Sequence, residues 1–241
     1  DNGIGMPRSK RVVCNSGLHV PLIVYIPPKY AHLAPRDVRT TGVCERLVGF
    51  VDFAPTLLSI AGVRAPAAMQ GRAFLGKYQS DAPSFVFGER GRMDERYDFS
   101  RSATDGRFVY VRNYLPHLPW GQHVSYMFKT PTTQVWHKRF TEGKLNKVQS
   151  AFWLPKAPEE LYDLKHDLWE TENLAGSEKH REELERLRGA LREHVLAVRD
   201  LGFLTEDEMH ARGAGRTPYE LARDSAAYPM ERVLDAAEKA S

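Results

Sequence analysis

The sequence predicts an α/β protein: the end of an α/β layer, then a smaller antiparallel sheet with a helix packed on it. Three observations carry this. Residues 20–26, VPLIVYI, form a nearly unbroken apolar run closed by Pro27 and Pro28, the pattern of a strand covered on both faces as in a parallel sheet. From about residue 80 the period changes, and SFVFGER (84–90) and RFVYVRNY (107–114) alternate apolar with polar as half-buried antiparallel strands do. Residues 178–198 place Leu184, Leu187, Leu191, Val195 and Val198 three and four apart on an otherwise charged surface, the stripe of a helix lying on a core. The expected organisation is an α/β part over 1–80, an antiparallel subdomain with long loops over 81–200 and a C-terminal extension over 201–241.

Composition sets broad limits. The 241 residues can bury a sizeable core, and 34 basic against 31 acidic residues leave a net charge of +3, too even a balance for a nucleic-acid partner. The most apolar run is broken by prolines within nine residues, far short of the roughly 18–20 that span a bilayer, so no membrane span is expected. Cys14 and Cys44 stand 30 residues apart, fit neither a disulfide framework nor a zinc site, and read as structural.

Taken in order, the elements have local causes. The chain opens DNGIGMPRSKR, with two oxygen-bearing side chains, a glycine-rich bend and a basic cluster of Arg8, Lys10 and Arg11. After the 20–26 strand and a polar loop, VGFVDFAPTLLSIAG (48–62) carries helix punctuation: Asp52 as N-cap, Pro55 in the first turn and Gly62 as the stop. Leu57, Leu58 and Ala61 then share a face expected to pack on the sheet. Asp105-Gly106 is a turn signal before the second alternating strand. Residues 115–160 read as long irregular excursions around a site, EELYDL (159–164) as a short strand, and the tail from about 203 as polar linkers with one helix, Met230 to Ala240.

Four segments have a joint order and spacing that their separate occurrence would not explain. They are Asp1-Asn2-Gly3 with Lys10 and then Gly17-Leu18-His19-Val20-Pro21, with an eleven-residue step from Lys10 to Pro21; VDFAPTLLSIAGV followed by MQGRAF; ELYDLKHDLWETENLA (160–175); and, less specifically, ERGRMDERYDFSRSATDGRFVYVRNY. Together they resemble the formylglycine-dependent sulfatases of the alkaline phosphatase superfamily, bacterial in type, over residues 1 to 200. Leu168 stands where proline is usual in the third motif. The resemblance implies that the first part is the end of an alkaline-phosphatase-like α/β sandwich, that the activity is sulfuric ester hydrolysis on a sulfated carbohydrate, and that the protein is periplasmic or secreted.

The resemblance also assigns residues. Asp1 and Asn2 become metal ligands; a carboxylate and an amide oxygen suit a hard cation, Ca²⁺ or alternatively Mg²⁺. Lys10 becomes the catalytic cation that contacts the sulfate. His19 has two readings, a pocket-lining imidazole or one satisfied locally at the start of the strand. The family's nucleophile is a formylglycine made from Cys or Ser in a Cys/Ser-x-Pro/Ala-x-Arg motif. Neither VCNSG nor VCERL has that form, so the nucleophile is expected on a missing N-terminal portion of the catalytic domain, and this chain alone is expected to be inactive.

The GERGRMDERYD loop (88–98) offers substrate contacts: Arg90, Arg92 and Arg96 as guanidinium forks, and Asp94 and Glu95 as acceptors for sugar hydroxyls, against the alternative of a solvated loop with internal ion pairs. His117, His123 and His137 lie in the aromatic-rich stretch, with no spacing that singles one out. Asp163 and Asp167 read as turn residues. Two other functions stay open: a phosphodiesterase or phosphonate hydrolase of the same superfamily, and a non-catalytic glycan-binding module.

Overall fold

The structure is a computed structural model that describes residues 7–35, 42–92 and 95–241. Asp1, Asn2 and Asp94 therefore lie outside the described residues. The chain forms two compact units, the larger from Asp1–Val20, Gly88–Ala103 and Arg107–Ser241, and the smaller from Pro21–Phe87 and Thr104–Gly106.

A four-stranded antiparallel sheet of order β1-β2-β3-β4, most of whose residues belong to the larger unit, is made of β1 (Val86–Arg90), β2 (Ser100–Thr104), β3 (Phe108–Asn113) and β4 (Glu159–Asp163). In the β3–β4 ladder Phe108 faces Asp163, Tyr110 faces Leu161 and Arg112 faces Glu159. The Asp105-Gly106 turn joins β2 to β3 with Gly106 at φ +93, a conformation only glycine adopts without strain. β1 alternates in burial as its sequence predicts.

β3 corrects the half-buried expectation, because it is covered on both faces. Val109 and Val111 join Val12, Val13, Cys14, Trp120, Phe152 and Trp153 in one apolar cluster. The helix Arg181–Val198 also packs on β3, burying Leu184, Leu187, Leu191 and Val195 and leaving Val198 half-buried. Each such burial contributes roughly 1.5–3 kcal/mol.

β2 has no apolar signal at all, and its polar side chains are buried in pairs: Ser100 Oγ donates to Asn113 Oδ1 at 2.7 Å, and Arg101 grips Asp200 through two bonds of 2.6 and 3.1 Å. The stretch 115–160 is less irregular than its sequence suggests. It contains the helix Pro131–Thr141, opened by Thr130 and Pro131, whose Trp136 stacks on Phe152 at a ring distance of 4.8 Å. The tail holds the expected helix Met230–Ala240 and two more, Glu206–Gly213 and Pro218–Arg223, each started by a threonine hydroxyl that accepts from the backbone three residues on. Among the described residues no helix is long and apolar enough to cross a membrane.

The smaller unit overturns three expectations. Residues 20–26 pair with no strand among the described residues, and Leu22, Ile23, Val24 and Tyr25 are exposed, Ile23 by 92%. A strand buried on two faces needs ladder partners and two covering layers, and the described residues of this unit supply neither. The helix Phe53–Ile60 forms as predicted, but its buried side chains are Pro55, Thr56 and Ser59, while Leu57 and Ala61 are exposed. The reason is hydrogen bonding. The segment 72–78 lies along this helix and donates backbone N–H groups into it: Arg72 to Asp52 Oδ1 (2.7 Å), Phe74 to Thr56 Oγ1 (3.1 Å) and Tyr78 to Ser59 Oγ (2.8 Å). Asp52 also accepts from Gly49 N at 2.9 Å, so it caps the turn that precedes the helix. Cys44 is exposed, contrary to the expectation of a buried residue, and Cys14 is buried; neither forms a disulfide.

This latch allows a direct test. A Cβ on Gly76 would sit 2.6–2.7 Å from the backbone of Ser59 and Ile60, at a φ of +86. Gly76→Ala is expected to cost about 1–3 kcal/mol in urea unfolding; a change below about 0.3 kcal/mol would show that the latch does not hold the helix.

Candidate functional site

Lys10 sits in the turn at residues 7–11, half-buried, immediately before the buried run Val12-Val13-Cys14. The turn is conformationally demanding, since Arg8 and Arg11 on either side of Lys10 both have left-handed φ values of 65 and 68. Such a backbone costs roughly 1–2 kcal/mol per residue and persists only where neighbours impose it. Three contacts do so. Ser16 Oγ donates to the Arg8 carbonyl at 2.7 Å, Arg8 Nη2 donates to the Trp169 carbonyl at 2.8 Å, and the Arg90 guanidinium donates to the carbonyl of Arg11.

Arg90 is thus placed beside Lys10's neighbour, yet its own side chain is 1% exposed and serves the fold. Its Nε donates to Asp98 Oδ2 at 3.1 Å, and Lys156 Nζ donates to Asp98 Oδ1 at 2.5 Å with both side chains 0% exposed. Lys156 also lies over the Trp120 ring, 4.5 Å from its centroid. Burial pulls the Lys156 pKa down, and Asp98 opposes that pull. Arg101 Nη1 donates to the Arg90 carbonyl at 3.0 Å, which ties β2 to the end of β1.

The other loop candidates are drawn to separate elements. Arg92 donates to the Leu204 carbonyl, Arg96 Nε to the His123 carbonyl at 2.9 Å, and Glu95 accepts from the backbone and hydroxyl of Ser125. Those Ser125 bonds hold the Glu95 carboxyl below the usual carboxylate range. Arg92, Glu95 and Arg96 are therefore anchored, their charges partly engaged by neighbouring carbonyls and amides.

His123 and His137 converge on one ring, Phe128, at centroid distances of 4.3 and 5.2 Å. His137 also meets Trp153 edge to face at 4.9 Å. Both imidazoles thus belong to the aromatic cluster. His117 is exposed, and so is His19, whose backbone N–H closes the Asn15–Leu18 turn on the Asn15 carbonyl at 2.8 Å. Among the described residues no group of three or more His, Cys, Asp or Glu is placed to hold a metal ion. Cys14 is inert, its thiol pushed up to about 12 by burial.

The residue that sequence reasoning missed is Glu170. It lies in the motif after β4, where the turn is built from side-chain caps. Asp163 accepts from Arg107 and Lys165 N, which hold its carboxyl well below the usual range. Asp167 Oδ2 accepts from the amides of Thr171 (2.6 Å) and Glu172 (2.8 Å), and Asn173 Oδ1 accepts from Leu161 N (2.9 Å). Asp167 is a turn residue, as expected, whereas Asp163 is the last residue of β4, its side chain and carbonyl accepting from the turn that follows. Glu170, at φ 52, points inward and accepts from Asn15 N on both oxygens at 3.0 Å, with Arg8 at 3.6 Å. Its presence in a motif of fixed spacing was the available signal.

Comparison with known proteins agrees with the motif reading. The family model described as N-sulphoglucosamine sulphohydrolase, C-terminal, matches residues 8–101. An ulvan-active sulfatase of Formosa agariphila is 37% identical over 210 residues, covering 87% of this chain and 34% of that protein. A second ulvan-active sulfatase of the same organism is 25% identical over 193 residues, covering 78% of the chain and again 34% of the relative. The chain thus spans about a third of the length of these relatives. Among solved structures, a 2-O GAG sulfatase is 22% identical with a TM-score of 0.39, covering 61% of this chain and 24% of that one.

The charge cluster under the Lys10 turn yields a prediction. Asp98→Asn strips the shared counter-ion from two buried cations and is expected to cost about 3–5 kcal/mol in denaturant unfolding; a loss under about 1 kcal/mol would contradict the pairing described.

Proposed function

Because this chain belongs to the sulfatases and carries sequence of their C-terminal region, we propose that it serves a sulfuric ester hydrolase acting on a sulfated carbohydrate. The observation that carries this is the 37% identity over 210 residues to an ulvan-active sulfatase. The match of the C-terminal family model from residue 8 onward includes Lys10 and the GLHVP segment.

In this reading Lys10 presents its ammonium to a nonbridging or leaving oxygen of the sulfate, where a fixed positive charge is worth most once water is excluded. The turn at 7–11 supplies the placement: its backbone is left-handed at Arg8 and Arg11 and is held there by Ser16, the Trp169 carbonyl and Arg90, on either side of Lys10. Arg92, Asp94, Glu95 and Arg96 lie on the loop we assign to sugar contacts, and His19 belongs to the same assignment. Asp1 and Asn2 would hold the cation; a carboxylate and a neutral amide oxygen fit a hard, oxygen-preferring ion such as Ca²⁺, or Mg²⁺. When bound, that cation neutralises charge building on the sulfuryl oxygens.

The formylglycine nucleophile belongs, in the same proposal, to an N-terminal portion of the catalytic domain. The smaller unit supports such a partner. Its apolar run at 22–25 is exposed, and a run of exposed apolar side chains is what an interaction site offers.

The test joins this chain to the segment carrying the formylglycine. Sulfate release from sulfated ulvan oligosaccharides is expected, with Lys10→Ala lowering kcat/KM about 10²–10³-fold and chelation abolishing turnover. Cleavage of phosphodiesters in preference would assign the alternative hydrolase activity, and glycan binding without turnover would assign a binding module. Calorimetry on the chain itself is expected to lose its Ca²⁺ signal in Asp1→Ala; an unchanged signal contradicts the ligand assignment.

A further inference from the structure

Nothing in the reaction proposed above uses Glu170, although its carboxylate is 1% exposed and aimed at the Lys10 turn from the opposite side of the larger unit's sequence. The two segments meet across 155 residues. Both Glu170 oxygens take the Asn15 amide proton at 3.0 Å, and Arg8 adds its guanidinium at 3.6 Å while binding the adjacent Trp169 carbonyl. Arg8 and Glu170 both sit at left-handed φ. Two strained residues meeting in one ion pair is the arrangement expected where the contact, and not local propensity, sets the backbone.

We propose that Glu170 is a positioning residue: it clamps the 8–16 segment through Asn15 and Arg8 and so fixes where Lys10 presents its charge. The proposal rests on the sulfatase reading for the role of Lys10, but the clamp itself does not.

The clamp has a built-in titration. Burial pushes Glu170 up to about 7, against the pull of the Asn15 amide and Arg8. The groups facing it are Arg8 and Cys14 from the N-terminal segment, Glu160 and Tyr162 from β4, and Asp167 from its own turn. Cys14 and Tyr162 have both been raised and stay neutral, and burial raises Glu160 as well, so among these described groups the cation is Arg8. Above about 7 Glu170 is ionised and holds Arg8. As pH falls through that value the charge and the pull on Arg8 are lost. The stability linkage runs the other way: a carboxyl raised in the folded state contributes stability below its unfolded value, lost as pH rises through the folded one. The ionised clamp is thus held at some cost in stability, the signature of a group kept for placement.

The experiment is an NMR pH titration of this chain and of Glu170→Gln, which preserves shape and an acceptor oxygen. In the parent, the amides of Asn15, Lys10 and Arg11 are expected to shift together with a midpoint near 7. In Glu170→Gln that transition disappears, while Glu170→Asp restores a titration. Asn15 amide exchange is expected to quicken at least tenfold in Glu170→Ala. Amides that do not titrate, or that titrate alike in the Gln variant, overturn the clamp. If Asn15 titrates and Lys10 and Arg11 do not, the positioning claim fails. In the joined enzyme, Glu170→Gln is expected to flatten the limb of the kcat profile near pH 7 with KM little changed. A chain that titrates as described, in a joined enzyme that releases no sulfate, supports the clamp and defeats the functional reading, so the two failures are distinct.

Discussion

The ion pair between Arg90 and Asp98 is the constraint around which the larger unit is arranged. A carboxylate with no access to water must be matched by charge, and Asp98 is matched twice, by Arg90 and by Lys156. Each match draws in a different part of the chain: β1, the segment leading to β2, and the loop before β4. Arg90 then reaches the Arg11 carbonyl, and Arg101 returns from β2 to the Arg90 carbonyl while gripping Asp200 near the C-terminal helices. The position of the Lys10 turn is thus set by the same charges that close the core beneath it.

The sequence displayed those parts of the fold in which apolar spacing decides the outcome. Helix Arg181–Val198, β1, β4 and the Asp105-Gly106 turn all follow from period and turn chemistry. β2 was illegible because Ser-Arg-Ser-Ala-Thr is a strand only when Asn113 and Asp200 stand ready to take its buried polar groups. The helix Phe53–Ile60 was legible, its buried face was not: Thr56 and Ser59 outcompete Leu57 because the 72–78 backbone needs acceptors. The helices at 206–213 and 218–223 carried readable threonine caps that a reading centred on apolar stripes passed over.

The candidate site divides along the same line. Lys10 is a candidate through the resemblance and its spacing to Pro21, whereas the contacts that hold the turn around it could not be read, since Arg8, Arg90 and Glu170 act through contacts 79 to 161 residues distant in sequence. Arg90 illustrates the ambiguity of charge in a loop. Its sequence context offers a substrate fork, and its burial assigns it to the framework. Arg92, Glu95 and Arg96 are each anchored by backbone groups of other segments.

A crystal structure of the joined protein with a sulfated ulvan oligosaccharide tests the account most directly. It predicts Lys10 Nζ within hydrogen-bond distance of a sulfate oxygen, with Asp1 and Asn2 on a cation beside the same sulfate. A sulfate bound elsewhere, with Lys10 directed into solvent, would contradict it.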